Sequence, residues 1–122
     1  MTLIGGAATG SDTFYGGAGK DVITGGHGAD TYVGGSGHAT VNAVGSVNVF
    51  EFIHGKAGGT MVVNDLTSAS QVHIVLSGYA PDQVQKAIAR QTSSANSVTV
   101  TLSDHTQITF ENITHLTTGN FG

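Results

Sequence analysis

Asp12, Asp21 and Asp30 stand nine residues apart, and each has a glycine two residues before it: Gly10, Gly19 and Gly28. Carboxylate oxygens are hard, anionic ligands. Backbone carbonyls turned inward by a tight loop are hard, neutral ones. A loop that bends so sharply needs residues that tolerate positive φ, and glycine does so at little cost. Carbonyls converging with a carboxylate make an all-oxygen cage, which is calcium chemistry: six or more oxygens in a flexible geometry. The chain has no cysteine, so a thiolate metal site and a disulfide framework are both excluded.

Such loops need elements to hold them, and the repeat supplies them. At period nine, units begin at residues 7, 16, 25, 34 and 43. The eighth position is apolar in every unit: Phe14, Ile23, Tyr32, Val41 and Phe50. The sixth is Asp12, Asp21, Asp30, Ala39 and Asn48, and the fourth is Gly10, Gly19, Gly28, Gly37 and Ser46. The pattern is sharpest over Gly16–Val33 and frays on both sides. A glycine-rich linker would not keep apolar residues in register. Nine residues are too few for a helical repeat and suit a loop of six followed by a strand of three. Neighbouring strand residues face opposite ways, so position eight points inward while Thr13, Thr24, Thr31, Thr40 and Asn42 face solvent. A three-residue strand spans only about 10 Å and buries no core alone. Stacked turns of a flattened coil, two units per turn, would bury one and bring together residues eighteen apart.

GGAGKDVIT and GGHGADTYV, at residues 16–24 and 25–33, resemble the RTX, or hemolysin-type, calcium-binding repeat GGxGxDxUx. Two units in tandem satisfy every fixed position, through Gly16, Gly17, Gly19, Asp21 and Ile23, then Gly25, Gly26, Gly28, Asp30 and Tyr32. The resemblance implies an all-β fold: a short right-handed parallel β-roll (a β-solenoid) with calcium in its loops, then a β-rich C-terminal cap with one short helix. It also implies ligand sets. The first joins Asp12 and Asp30 to the carbonyls of Ala8, Gly10, Gly25 and His27. The second joins Asp21 to those of Gly17, Gly19, Gly34 and Ser36, with Ala39 where a second aspartate belongs. The third joins Asp30 and Asn48 through Gly26, Gly28, Ala43 and Gly45. In the first loop Ala7-Ala8 stands where a glycine pair is expected and Gly5-Gly6 comes two residues earlier, so either that loop is longer or the register slips.

The 122 residues suit one domain. Sixteen of nineteen glycines precede Thr60, which divides the chain into repeats over residues 1–51 and a cap over 52–122. Within the cap, VNVFEFI, TMVVNDL and QVHIVLSGY read as strands. PDQVQKAIARQ reads as a helix, with Pro81 at its first position, Asp82 at its positive end and a stripe of Val84, Ala87, Ile88 and Gln91. NSVTVTLSDHTQITFENI alternates as a hairpin turning at Ser103-Asp104-His105, where histidine tolerates the left-handed region better than most residues.

Four basic residues and a net charge of −4 exclude a nucleic-acid partner. No apolar run reaches the length of a membrane span. MTLIGGAATG carries no Sec signal, and repeat-like sequence beginning just after Met1 suggests a piece cut from a longer chain, the alternative being a complete small protein. The stretches VFEFIHGKAGGT, LSGY and SDHTQITFENITHL resemble the C-terminal region that follows RTX repeats. That resemblance implies an uncleaved signal for a type I secretion apparatus, an extracellular or cell-surface location, and upstream domains of a larger bacterial exoprotein. Clustered carboxylates and glycine entropy make folding linked to calcium the expected behaviour.

Other chemistry finds little footing. The six histidines form no HExxH or other helical ligand pair, Gly19-Lys20-Asp21 fails the phosphate-loop motif, and no nucleophile elbow is present. The expectation is that the domain is not an enzyme. The alternative, an extracellular carbohydrate-binding module, calls for an aromatic or basic stripe, for which Tyr15, Tyr79, Lys20, Lys56, Lys86 and Arg90 are poorly placed. An ice-binding face calls for aligned threonines, but Thr13 and Thr31 are followed by Val49.

Overall fold

In the computed structural model, the described residues are 2–4 (backbone only), 11–26, 28–43 and 47–121. Eleven strands lie among them: β1 (Thr2–Ile4), β2 (Thr13–Tyr15), β3 (Lys20–Thr24), β4 (Asp30–Val33), β5 (His38–Asn42), β6 (Asn48–Ile53), β7 (Thr60–Asn64), β8 (Val72–Ser77), β9 (Thr92–Ser93), β10 (Ser97–Thr101) and β11 (Gln107–Glu111). Through β8, successive strands alternate between two sheets, and each pairs in parallel with the strand two further on. One sheet runs β1-β3-β5-β7-β11-β10-β9 and the other β2-β4-β6-β8. The protein is mostly β, with no barrel: the four-stranded sheet is parallel, and the seven-stranded one is parallel from β1 to β11 and antiparallel through β10 and β9.

Register carries the repeat into three dimensions. Thr13 pairs with Thr31, Lys20 with His38, and Asp30 with Asn48, each eighteen residues apart. Thr2 pairs instead with Val22, twenty residues away. The alternation does not stop where the glycine pairs do. β5 pairs with β7 and β6 with β8 through longer loops, with His38 opposite Thr60 and Asn48 opposite Val72.

β3, β4 and β5 are longer than the three residues the repeat requires. β3 and β5 begin at position five of the unit and β4 at position six, so each sixth residue lies inside its strand on the inward face. Inward residues stack by type. Phe14, Tyr32 and Phe50 form a column with ring centroids 5.6 and 5.4 Å apart, and Phe110 closes it edge-on at 5.3 Å. Each such ring pair contributes about 0.5–1.5 kcal/mol beyond area burial. On the facing sheet Ile23, Val41 and Val63 are fully buried. Thr13 is exposed, and Thr24, Thr31, Thr40 and Asn42 are partly exposed, as outward positions should be. Val33 departs from the alternation and is buried at position nine, between Tyr15 and Glu51 in register.

The C-terminal part closes one end of the coil. β10 and β11 form the expected hairpin, turning through His105 at φ 71°. β11 then adds in parallel to β7. The helix α1 (Gln83–Arg90) buries Gln83 and Ala87, with Val84 and Ile88 half-buried beside them. It starts two residues later than Pro81. Asp82 is its N-cap, but the carboxylate pairs with Lys86 at 3.1 Å instead of capping. The tail is tied down by Gln91, whose side chain donates to Leu116 O and accepts from Leu116 N, each at 2.9 Å. No helix among the described residues is long and apolar enough to cross a membrane.

Candidate metal centre

Asp30 opens β4 with its side chain inward, and it is 1% exposed. Its Oδ1 accepts from the Asp12 amide at 3.1 Å, and Thr31 N donates to Asp12 O at 2.8 Å. These bonds bring Asp12 and Asp30 to one edge, as the repeat requires. Asp30 Oδ2 is buried without a hydrogen-bond partner. A buried carboxylate oxygen left unpaired is costly unless a cation or donor arrives. Gly25 makes the space around it: a Cβ there would lie 2.8 Å from Asp30 Oδ2 and 1.8 Å from the Tyr32 hydroxyl oxygen. The Tyr32 hydroxyl is likewise buried and unpartnered. Burial, then the charges of Asp30 and Asp12, push its phenol far above the ordinary value. An orphaned anionic oxygen beside a second carboxylate and a glycine loop fits a hard divalent cation. Of the other residues expected here, Ala8, Gly10 and His27 lie outside the described ones.

The opposite edge is arranged differently. Asp21 is the second residue of β3 in the other sheet, and its Oδ2 accepts from Gly17 N at 3.0 Å. The carbonyls of Gly17 and Gly19, expected as ligands, accept from Gly37 N (3.1 Å) and His38 N (2.8 Å) one turn on. The same ladder continues from Thr60 N to Gly37 O at 3.0 Å. Loops stacked this closely exclude a β-carbon: one on Gly37 would lie 2.2 Å from Gly19 O. Gly34 is buried against the Phe52 ring, and Ser36 is exposed. Ala39 lies opposite Asp21 in register, and a small cavity lined by Gly34, Phe52 and Met61 opens beside it. Here the loop carbonyls are already engaged by amides, and one carboxylate is missing.

For the third set, Asn48 lies opposite Asp30 in register and is fully buried. Gly28 and Ala43 are also buried and Gly26 partly so, while Gly45 is outside the described residues. Ala43 N donates to Asn64 O at 3.0 Å. Among the described residues no three His, Asp or Glu side chains cluster in a way that could hold a metal, so any site must draw on backbone carbonyls.

Sequence reasoning missed two polar groups. It took Tyr32 as one more apolar residue, although its hydroxyl distinguishes it from Phe14, Ile23, Val41 and Phe50. It also missed a latch on the closing hairpin. Tyr79 OH donates to Asp104 Oδ2 at 2.6 Å, the Thr106 hydroxyl donates to Asp104 Oδ1 at 2.6 Å, and Gly58 N donates to Thr106 Oγ1 at 2.8 Å. Desolvation pushes the Asp104 carboxyl up, but the bonds from Thr106 and Tyr79 outweigh it, and it titrates below its usual value. A depressed folded pKa gives stability that is complete above the unfolded pKa, about 3.9, and lost as pH falls through the folded value. Thermal midpoints should therefore fall more steeply below about pH 4 in the wild type than in Asp104→Asn. Parallel curves would remove Asp104 from the acid-labile groups. This latch also occupies Tyr79, while Tyr15 is 66% exposed at the far end of the coil, so the two make no aromatic stripe.

Inward carboxylates Asp21 and Asp30 on stacked glycine loops are the arrangement of a repeat coil. Residues 6–41 match the family model of the RTX calcium-binding nonapeptide repeat, in four copies. Over that segment the chain is similar to RTX repeats, a structural calcium-binding family and not a known enzyme family. No curated protein and no solved structure matches the chain.

Proposed function

We propose that the chain is the calcium-responsive C-terminal domain of a larger bacterial exoprotein. In this reading residues 1–51 form a short β-roll, and 52–122 form the cap that carries a type I secretion signal. The domain would stay unfolded during export, fold on meeting extracellular calcium, and support folding of the domains upstream. The principal ion site would use Asp12 and Asp30, with carbonyls of Ala8, Gly10, Gly25 and His27. Asp21, with Gly17, Gly19, Gly34 and Ser36, would form a weaker site, and Asp30–Asn48, with Gly26, Gly28, Ala43 and Gly45, a third. When bound, the ion supplies positive charge to the buried carboxylates. The residues' part is to aim oxygens and exclude water.

The observation that carries this reading is the buried, unpartnered Asp30 Oδ2 beside Asp12, inside the segment that matches the calcium-binding repeat. Equilibrium dialysis tests it. The protein should take up calcium at millimolar or lower free concentration, and Asp12→Ala/Asp30→Ala should lose most of that uptake. Undiminished binding by the double variant would dismiss the site.

A further inference from the structure

The calcium site as read above consists of loop carbonyls and aspartates. The structure places one more polar atom there. Tyr32 is fully buried, its ring is held between Phe14 and Phe50, and its hydroxyl has no hydrogen-bond partner. A buried hydroxyl left unmade is costly, and a phenylalanine of the same shape would avoid the cost. The ring stack alone therefore does not explain a tyrosine. Its oxygen and Asp30 Oδ2 flank the same point beside Gly25, 1.8 and 2.8 Å from where a Cβ would be, yet no hydrogen bond joins them. Two orphaned oxygens of complementary chemistry, one an O–H donor and one an anionic acceptor, face the space that the glycine leaves free.

We propose that Tyr32 is a positioning residue of the Asp12–Asp30 site: its hydroxyl donates to Asp30 Oδ2 in the ion-bound state and holds that carboxylate towards the cation. The inference rests on the calcium reading. It ties ion binding to the interior, because the same ring is the centre of the aromatic column. Ordering the carboxylate then also orders the stack, and the signal passes from a loop to the core through one side chain.

Tyr32→Phe keeps the ring and removes only the oxygen. Calcium titrations followed by circular dichroism should show its midpoint raised about tenfold, the size of one lost charge-assisted hydrogen bond. In chelator the variant should keep at least as much β-signal as the wild type, because an unsatisfied hydroxyl has been removed. Loss of packing would instead weaken both states. A second measurement leaves residue 32 untouched. In Tyr15→Phe/Tyr79→Phe, Tyr32 is the sole tyrosine, and calcium should shift its absorbance band to the red as the hydroxyl enters a charged hydrogen bond. A calcium-responsive protein whose midpoint ignores Tyr32→Phe, or whose Tyr32 band does not move, overturns the positioning role and leaves the calcium site standing. A wild type that does not bind calcium overturns both.

Discussion

Stripped of calcium by a chelator, the protein should lose most of its β-signal in circular dichroism, and millimolar calcium should restore it. The reason lies in the balance of terms in the front turns. Folding there fixes a glycine-rich chain, and glycine loses more backbone freedom than any other residue. It also carries Asp21 and Asp30 into positions 4% and 1% exposed. A buried carboxylate without full compensation costs several kcal/mol. The inward residues of β2, β3 and β4 must offset both costs, and these strands have only three to five residues each. A bound cation reverses the carboxylate term and stabilises the folded state by mass action. Hydrogen exchange should localise the response, with β2–β4 losing protection in chelator before β10–β11. A spectrum in chelator that is fully folded and unmoved by calcium would end the coupling claim.

The second large effect separates two aspartates that look equivalent in the sequence. Asp30→Ala should raise the calcium midpoint about tenfold more than Asp21→Ala, a difference of ~1.4 kcal/mol. Asp30 holds an oxygen that no protein donor meets, lies beside Asp12, and faces Asn48 in register. Asp21 Oδ2 already accepts from Gly17 N and faces Ala39. A further comparison uses Asp30→Asn, which removes the charge and keeps the shape. In chelator it should be at least as stable as the wild type, because a buried charge is gone. With calcium it should be weaker. Equal calcium midpoints for the two alanine variants would show that Asp30 has no special place.

The coil was legible because one physical rule repeats in it. An inward apolar residue every nine positions, with a glycine loop between, predicts stacking at eighteen, and Thr13–Thr31 and Lys20–His38 pair at that spacing. Two alternatives for the first loop stood open in the sequence; its residues lie outside the described ones, and the Thr2–Val22 register shows only that β1 pairs at twenty residues instead of eighteen. That the coil's pairing continues into β7 and β8 was hidden because their loops have lost the glycine code. The inward alternation of TMVVN and VHIVLS was present, but nothing local says which strand will be its neighbour. The site was half visible. Asp12, Asp21 and Asp30 could be named from spacing, and their places in two different sheets follow from the same count. Part of their inequality could be read, since Ala39 stands where Asp21 should meet a second aspartate and Asp30 belongs to two ligand sets; the amide that reaches Asp21 Oδ2 and the bare oxygen of Asp30 could not. The latch joining Tyr79, Asp104 and Thr106 was invisible for a similar reason, being assembled from segments twenty-five residues apart.

The parallel pairing of β11 with β7 also has a kinetic side. Each turn of the coil closes a loop of roughly one repeat pair, and the final hairpin closes on itself across a short turn. Among the described pairings, the Thr60–Gln107 register and the isolated bridge of Ile74 with Phe121 each join residues forty-seven apart. Loop-closure entropy grows with separation, and non-local pairings are the slow ones. Coil and hairpin are thus local structures, and their joining depends on distant contacts. Until β7 and β11 meet, each of those strands presents an open edge.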